Sequence, residues 1–562
     1  MVATIADILK HGAAAHGDAL ALEMFGADGP VRRYTFREVA RRADLVARQL
    51  RAWGIAPGGR VALVGENCPE WGIAAFGVYA AGAVLVPLDS KLKPGEVSNI
   101  LRRSRADLLL SSARLMPAAQ EAARDLAAPR VACVDGLLSG DALAGAARLA
   151  PVGDLCRPDD VALISFTSGT TGAPKGIVLL HRNIVANVLS AAASVVACGP
   201  DDHFVSLLPL NHLFEHTVGF LLPYYCGAGV TYLRSLKPKT VLAALEATGA
   251  TLCLIVPAVA RLFHKQATAM IAGLPWWRRM LFRGLFGTAR AAGRAGVPLG
   301  PVILGNVGRR FGSRMRQFIS GGAPLEPETA EFFSCVGLPI LQGYGLSEAG
   351  PVVSSNTPGA NRLGSVGQPV RDVEVRIVPR DGFEPGAGEV LVRGPNVMQG
   401  YFEAPEATAE VLRDGWLSTG DIGRLDPDGY LHICGRIKDV IIGSSGKNVY
   451  PDEIEQQIAG RPFIKEACVV GRPAGGRGTG QEASEEIVVL VVPADEIAAD
   501  LPRDDMVKVL RNELRDACRA LADYKRPRYF TLCEGDLPRT TTLKLKKHEI
   551  VGMIDGLPLT PL

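Results

Sequence analysis

No CxxC pair occurs among the 11 cysteines, and their odd number argues against a complete disulfide framework. Thiols as dispersed as Cys68, Cys156, Cys226, Cys335 and Cys518 point to a reducing cytoplasm. Net charge is nearly absent as well. The balance of 61 basic and 58 acidic residues leaves +3, too little for a general nucleic-acid binder of 562 residues, and no zinc-finger or RNA-binding motif accompanies it. Met1 to Lys10 contains Asp7 and no basic stretch followed by an apolar core, so it does not read as a secretory leader. No segment reaches the roughly 20 apolar residues needed to span a bilayer. Trp71 to Leu88 comes nearest, but it is rich in Ala and Gly, is broken by Pro87, and reads as a buried helix followed by a strand. Repeats of fixed period are missing, and the one low-complexity tract, Gly475 to Gly480, reads as a hairpin loop.

What is present is the material of a large ordered enzyme. Hydrophobic residues make up 48% and charged residues 21%, with 63 Gly and 38 Pro, and the length exceeds what a single core accommodates. Apolar residues at helical spacing between Tyr34 and Gly58 precede a strand-like run at Arg60 to Val64. The same helix-then-strand alternation recurs at Val241 to Val256 and at Glu328 to Leu341, which predicts an α/β fold. After Ser355 the chain turns to short strands and turns, as in VEVRIV, Asp381-Gly382, Glu389 to Arg393 and Asp426 to Gly429, the pattern of a small β-barrel-like subdomain. Past Arg436, a helix at Asp452 to Ile458 and the strands EACVVG and EIVVLVVP predict a smaller α+β unit. The expected division is a large domain over 1–435 and a C-terminal domain over 436–562.

The most informative segment is SFTSGTTGAPKG, Ser165 to Gly176, which follows the apolar run VALI. Three Thr, two Ser and three Gly around Pro174 and Lys175 supply hydroxyl donors, approachable backbone N–H groups and a cation, which together suit a polyphosphate. It is not a Walker A loop, because G-x-x-x-x-G-K-[ST] is absent. A polar surface turn is the bland alternative.

These residues resemble the phosphate loop of the adenylate-forming superfamily, which includes acyl-CoA synthetases, luciferase and peptide-synthetase adenylation domains. Further blocks follow in the family's order: SGGAPL at Ser320 to Leu325, QGYGLSE at Gln342 to Glu348, STGD at Ser418 to Asp421, GRIKD at Gly435 to Asp439 and LKLKK at Leu543 to Lys547. The resemblance implies that ATP is held by Thr167, Ser168, Gly169, Thr170, Thr171, Gly172 and Lys175. It implies an adenine ledge at Gly321, Gly322, Ala323 and Pro324, and a stacking Tyr344 between Gly343 and Gly345. Ser347, standing where Thr is more usual, keeps its hydroxyl. Glu348 and Thr167 are the implied Mg²⁺ ligands, the carboxylate being a hard oxygen donor. Asp421 is implied for the ribose hydroxyls and Arg436 for the ribose or phosphate, with an interdomain salt bridge as the alternative for Arg436.

By the same resemblance Lys438 is the hinge of a mobile C-terminal domain, and Lys544 is the catalytic cation at the acyl carboxylate and α-phosphate. Leu543 departs from the Gly of many relatives. Lys546 and Lys547 read instead as a solvated basic face. The segment Gly443, Ser444, Ser445 and Gly446 is implied for coenzyme A. In PLNHLFEHTVG, His212 and Glu215 fall within one helical turn; a core histidine is the ordinary reading of His212, and the resemblance places it beside the acid as a catalytic residue. His216 is left unassigned.

The phrases PLNHLFEH, FGSRMRQFISGGAPL and TLKLK are similar to the long-chain fatty acyl branch, which implies a medium- or long-chain fatty acid joined to coenzyme A. A separate acyl-carrier protein is the alternative acceptor, and a nucleotide-binding protein without turnover is the non-enzymatic alternative. Between Glu246 and Glu326 there is no acidic residue but 11 Arg or Lys. Within that stretch, residues 274–286 carry two Trp among arginines. This suits peripheral contact with the inner face of a membrane, weighed against a helix that packs on the protein with its arginines exposed.

Overall fold

The structure is a computed structural model, described here for residues 2–26, 29–167, 174–295, 297, 299–380, 383–443, 447–473, 485–539, 545–554 and 557–562, with backbone alone at 167, 496, 499 and 500. It is an α/β protein of two compact units. One comprises Met1–Glu374 and Val392–Leu417, the other Val375–Leu391 and Ser418–Leu562.

Two sheets organise the larger unit. The first has seven strands in the order Gly400–Tyr401, Lys175–Leu180, Val161–Thr167, Val84–Leu88, Arg60–Val64, Leu108–Ser111 and Arg130–Cys133. Its inner strands are parallel, and pairing becomes antiparallel from Val161–Thr167 outward. The expected alternation is realised here. Helix Phe36–Ala52 begins at a capping box in which Thr35 and Glu38 satisfy each other's backbone N–H groups, and it buries Phe36, Val39, Val46 and Leu50. Helix Pro69–Ala80 is buried on all sides, and the strand Val84–Leu88 that follows is wholly buried.

The second sheet has nine strands. Its parallel centre runs Ile340–Gly345, Gln317–Ser320, Leu252–Ile255, His203–Ser206, Gly229–Leu233 and Leu20–Phe25, in that spatial order. Parallel strands direct their carboxyl ends to one edge, where open α/β sheets bind ligands. The blocks SGGAPL and QGYGLSE both leave the sheet at that edge.

Strands Glu374–Pro379, Gly388–Arg393 and Trp416–Leu425, most of whose residues belong to the smaller unit, lie side by side, with Leu431–Arg436 antiparallel to the last. A separate four-stranded sheet is formed by Ile464–Pro473, Glu485–Pro493, Tyr529–Leu532 and Thr560–Pro561. Its central strand is apolar on both faces. Ile487, Val489 and Val491 pack under helices Pro451–Ile458 and Arg503–Ala517, while Val488 and Leu490 meet Ile550 and Ile554. The tract Gly475 to Gly480 and the turn Asp381-Gly382 lie outside the described residues.

Candidate active site

Strands Val161–Thr167 and Lys175–Leu180 pair antiparallel, with Thr167 opposite Lys175, so the two ends of the SFTSGTTGAPKG segment are brought together. Ser168, Gly169, Thr170, Thr171 and Gly172 lie outside the described residues, as does the side chain of Thr167. The Lys175 ammonium stands over the ring of Tyr401, 5.0 Å from its centroid. Tyr401 is held there because the short strand Gly400–Tyr401 pairs with Lys175–Leu180, Tyr401 facing Ile177, and because its N–H donates to Thr408 Oγ1 at 2.9 Å. Its phenol donates to Glu348 Oε1 at 3.1 Å. Glu348 is fixed from its backbone as well, its carbonyl accepting from the Met398 N–H at 2.8 Å. Asn396 donates to the carbonyls of Ala349 and Val352 and so locks the turn that carries Glu348.

Gly343 and Gly345 serve the hairpin that presents Tyr344. A Cβ at Gly345 would fall 1.8 Å from the Pro351 carbonyl oxygen, and one at Gly343 would fall 3.2 Å from that of Ser354. Gly321 follows strand Gln317–Ser320 and lies against the Phe214 ring, which a Cβ would meet at 3.3 Å, while Gly322 adopts a φ of +88°. Phe214 therefore joins the SGGAPL block to the PLNHLFEH segment.

His212 immediately precedes a helix whose first hydrogen bond runs from the His216 N–H to the His212 carbonyl at 2.9 Å. Its Nε2 is 3.5 Å from Asp89 Oδ2, and Asp89 is nearly buried while His212 is partly open to solvent. Asn67 positions this segment, accepting from the Leu210 N–H at 2.9 Å and donating to the Leu208 carbonyl at 2.6 Å. Glu215 and His216 diverge from His212 into the core. Glu215 opens a π-helix, Glu215–Leu221, and a Cβ on Gly219 would fall 2.6 Å from its carboxyl carbon. Burial pushes the Glu215 carboxyl up to about 8, opposed by hydrogen bonds from Ser206 and the Leu208 backbone. Burial also holds His216 down to about 3, with Tyr79 Oη 2.8 Å from its Nε2.

In the smaller unit, Asp421 and Arg436 face each other across paired strands, and Arg436 Nε donates to Asp421 Oδ1 at 2.7 Å. Arg436 thus makes a salt bridge inside its own unit. Lys438 lies in the turn Ile437–Asp439 directly after that strand, and burial, opposed by Asp439, lowers its ammonium below the usual lysine range. The Gly443 N–H donates to the Lys447 carbonyl at 3.2 Å beside the paired strands Ile441–Ile442 and Asn448–Val449. Ser444, Ser445 and Gly446 are outside the described residues, and so is Lys544, which precedes Leu545.

The basic run that follows differs from the expected solvated face. Lys547 is largely buried and pairs with Asp452 at 2.9 Å and Glu455 at 3.1 Å. Burial alone would lower its ammonium, but the two carboxylates outweigh that and hold it well above its ordinary range. A helix starting at Lys547 docks on helix Pro451–Ile458 through this pair, whereas Lys546 only bonds its own neighbour Glu549.

Asp89, Tyr401 and Asn67 were not singled out from the sequence, and Phe214 stood inside PLNHLFEH with no role of its own. Only Asp89 carried a signal, as the one charge closing the apolar run VLVPL. Among the described residues no three His, Cys, Asp or Glu converge on a point that could hold a metal. A single carboxylate such as Glu348, next to Tyr401, nevertheless suits Mg²⁺, which keeps several waters and takes its other oxygens from phosphates.

The sequence model described as AMP-binding enzyme matches residues 9–402, and that described as AMP-binding enzyme C-terminal domain matches 453–544. A feruloyl-CoA synthase of Amycolatopsis is 34% identical over 92% of this chain and 93% of its own length. A long-chain-fatty-acid–CoA ligase of Escherichia coli O157:H7 is 29% identical over 87% of this chain and 91% of its own. The crystal structure of ATP-bound MatB from Rhodopseudomonas palustris superposes with a TM-score of 0.78 at 27% identity, covering 99% of both chains. The ordered blocks and these matches agree: the chain belongs to the AMP-binding enzyme family, within the adenylate-forming superfamily.

Proposed function

We propose that this chain is an ATP-dependent acid–CoA ligase that activates a medium- or long-chain fatty acid as its acyl-adenylate and passes the acyl group to coenzyme A. The observation that carries the ligase reading is the alignment of Lys175, Tyr401 and Glu348 at the phosphate segment. The fatty acyl part rests on PLNHLFEH and on similarity to the long-chain-fatty-acid–CoA ligase. Eleven cysteines, all free, fit work in a reducing cytoplasm. No helix among the described residues is long and apolar enough to cross a membrane.

A carboxylate is a poor acyl donor because its oxygen leaves badly. Attack on the α-phosphorus of ATP expels pyrophosphate and turns that oxygen into part of AMP, which a thiol then displaces. Glu348 and Thr167 would hold Mg²⁺, which when bound would supply charge neutralisation along the triphosphate. Lys175 adds its charge at the phosphate segment, and Tyr401 orients the Glu348 carboxylate through its phenol. Tyr344 is the adenine-stacking group, on the ledge Gly321 to Pro324. His212, steered by Asp89, is assigned to the acid's carboxylate. Asp421 and Arg436 are assigned to the nucleotide's sugar and phosphate, Lys544 to the α-phosphate, Lys438 to the hinge, and Gly443 to Gly446 to the thiol substrate.

The 34% identity to a feruloyl-CoA synthase favours a second reading, with a hydroxycinnamic-type aromatic acid in place of the fatty acid. Purified protein incubated with ATP, Mg²⁺, a panel of saturated and unsaturated fatty acids and ferulic acid, and either coenzyme A or an acyl-carrier protein, separates these by mass spectrometry of the thioesters. Fatty acyl-CoA as the dominant product is expected. Feruloyl-CoA as the dominant product selects the second reading, acyl-carrier-protein thioester the alternative acceptor, and no labelled pyrophosphate exchange with any acid rejects the adenylate chemistry.

A further inference from the structure

Helix Trp276–Arg294 uses one side to join the core. Phe282, Leu285, Phe286 and Ala289 pack there, against a cluster that includes Phe263, Phe311 and Phe332. That side accounts for the helix folding onto the protein, as the bland reading of its sequence expects. It does not account for the other side. Trp276 is 68% exposed, Trp277 50%, Met280 64% and Leu281 57%, four large apolar side chains within six residues at the start of one helix. At 100° per residue, Trp276, Met280, Gly284, Gly287 and Ala291 form one stripe, opposite the packed one, with Trp277 and Leu281 along its border. Exposed indoles are costly to keep in water and are the side chains most enriched where hydrocarbon meets lipid headgroups.

The charges around this stripe have one sign. Arg279 and Arg283 flank the stripe, while Arg278, exposed in the same first turn, stands 4.9 Å from the centroid of the Trp277 ring; none of the three forms an ion pair with a carboxylate among the described residues. Arg290 and Arg294, farther along, are engaged by Glu331 at 2.8 and 3.1 Å. The free cations therefore cluster with the exposed aromatics, and the neutralised ones lie away from them. No acidic residue occurs from Ala247 to Leu325, and Glu331, the carboxylate that meets this helix, is engaged by Arg290 and Arg294. A protein partner would need an acidic groove cut to fit two indoles, whereas an anionic bilayer offers both the negative surface and the apolar layer beneath it.

We propose that the first half of helix Trp276–Arg294 is a membrane-docking face, with Trp276, Trp277, Met280 and Leu281 entering the headgroup region of an anionic phospholipid bilayer and Arg278, Arg279 and Arg283 binding its phosphates. The inference stands apart from the identity of the acid and from the ligase reading, since it is read by binding alone. It predicts co-sedimentation with sucrose-loaded phosphatidylcholine vesicles containing phosphatidylglycerol, and little with phosphatidylcholine alone. Removing three surface arginines is expected to weaken partition by roughly a hundredfold.

The test compares the full chain with Trp276→Ser/Trp277→Ser/Met280→Ser and with Arg278→Glu/Arg279→Glu/Arg283→Glu, each checked by circular dichroism. Loss of binding in both, with retained fold, is the expected result. Binding by either variant equal to that of the parent chain overturns the proposal. So does a parent chain that ignores anionic vesicles and instead self-associates in sedimentation equilibrium through this face. Should the variants misfold, vesicles of brominated anionic lipid decide with the unaltered chain: indole fluorescence quenched on binding supports insertion, and unquenched fluorescence rejects it.

Discussion

Tyr401 donates its phenolic hydrogen to Glu348 while the face of the same ring receives the Lys175 ammonium, so one aromatic side chain couples a cation and a carboxylate that lie 173 positions apart in sequence. Neither charged group touches the other in this arrangement. Each is oriented by a neutral intermediary, which leaves both available to a charged ligand.

Removing only the hydroxyl tests this coupling. Tyr401→Phe keeps the ring under Lys175 and frees the Glu348 carboxylate, and a hydrogen bond to a charged group is worth about 2 kcal/mol. The expected outcome is a fall in kcat/KM for ATP of roughly tenfold or more in pyrophosphate exchange, with unchanged thermal stability. Tyr401→Leu, which also loses the cation–ring contact, is expected to fall further.

Lys544 is assigned to the first half-reaction alone. Lys544→Ala is expected to abolish most acid-dependent pyrophosphate exchange while sparing thioester formation from a supplied acyl-adenylate. Equal losses in both half-reactions would remove that assignment.

Glu215 sets an alkaline limit on stability. Its native pKa of about 8 exceeds the ordinary 4.5, so the folded chain keeps a proton that the unfolded chain releases. This contribution is fully present below about 4.5 and is withdrawn as pH climbs through about 8. Glu215→Gln lacks the titration, and its urea midpoint is expected to stay flatter than that of the parent chain between those two values.

His181 and His216 act at the opposite end. Burial holds them at about 4 and about 3, against an ordinary 6.5, so the folded chain binds fewer protons than the unfolded one. Their contribution is present above about 6.5 and is lost as pH falls toward those lower values. Imidazole resonances of both are expected to remain untitrated at about pH 5, while denaturant midpoints already decline.

The parts of the site legible in the sequence are those whose chemistry is local. SFTSGTTGAPKG, QGYGLSE and SGGAPL announce themselves because small residues, hydroxyls and a charge must be contiguous to form a loop, and the helix-then-strand alternation around Phe36 to Val64 is equally local. What sequence reasoning missed is set by which strands become neighbours. Asp89 meets His212 across 123 positions only because their segments leave adjoining parts of the same unit, and Tyr401 reaches Glu348 only because a two-residue strand joins the edge of the seven-stranded sheet. His212 and Glu215 fall within one helical turn of sequence, yet His212 stands before the helix and the π-helical turn carries Glu215 inward. Lys547 misled because a charge run looks solvated until a partner helix supplies Asp452 and Glu455.

The hairpin at Gly345 has a consequence for how this protein can vary. With the Pro351 carbonyl oxygen 1.8 Å from where any side chain would begin, the position admits one amino acid, and a saturation library there would recover the parent codon set and little else. Diversification is therefore channelled away from the Gly345 hairpin and into segments whose backbones leave room for atoms.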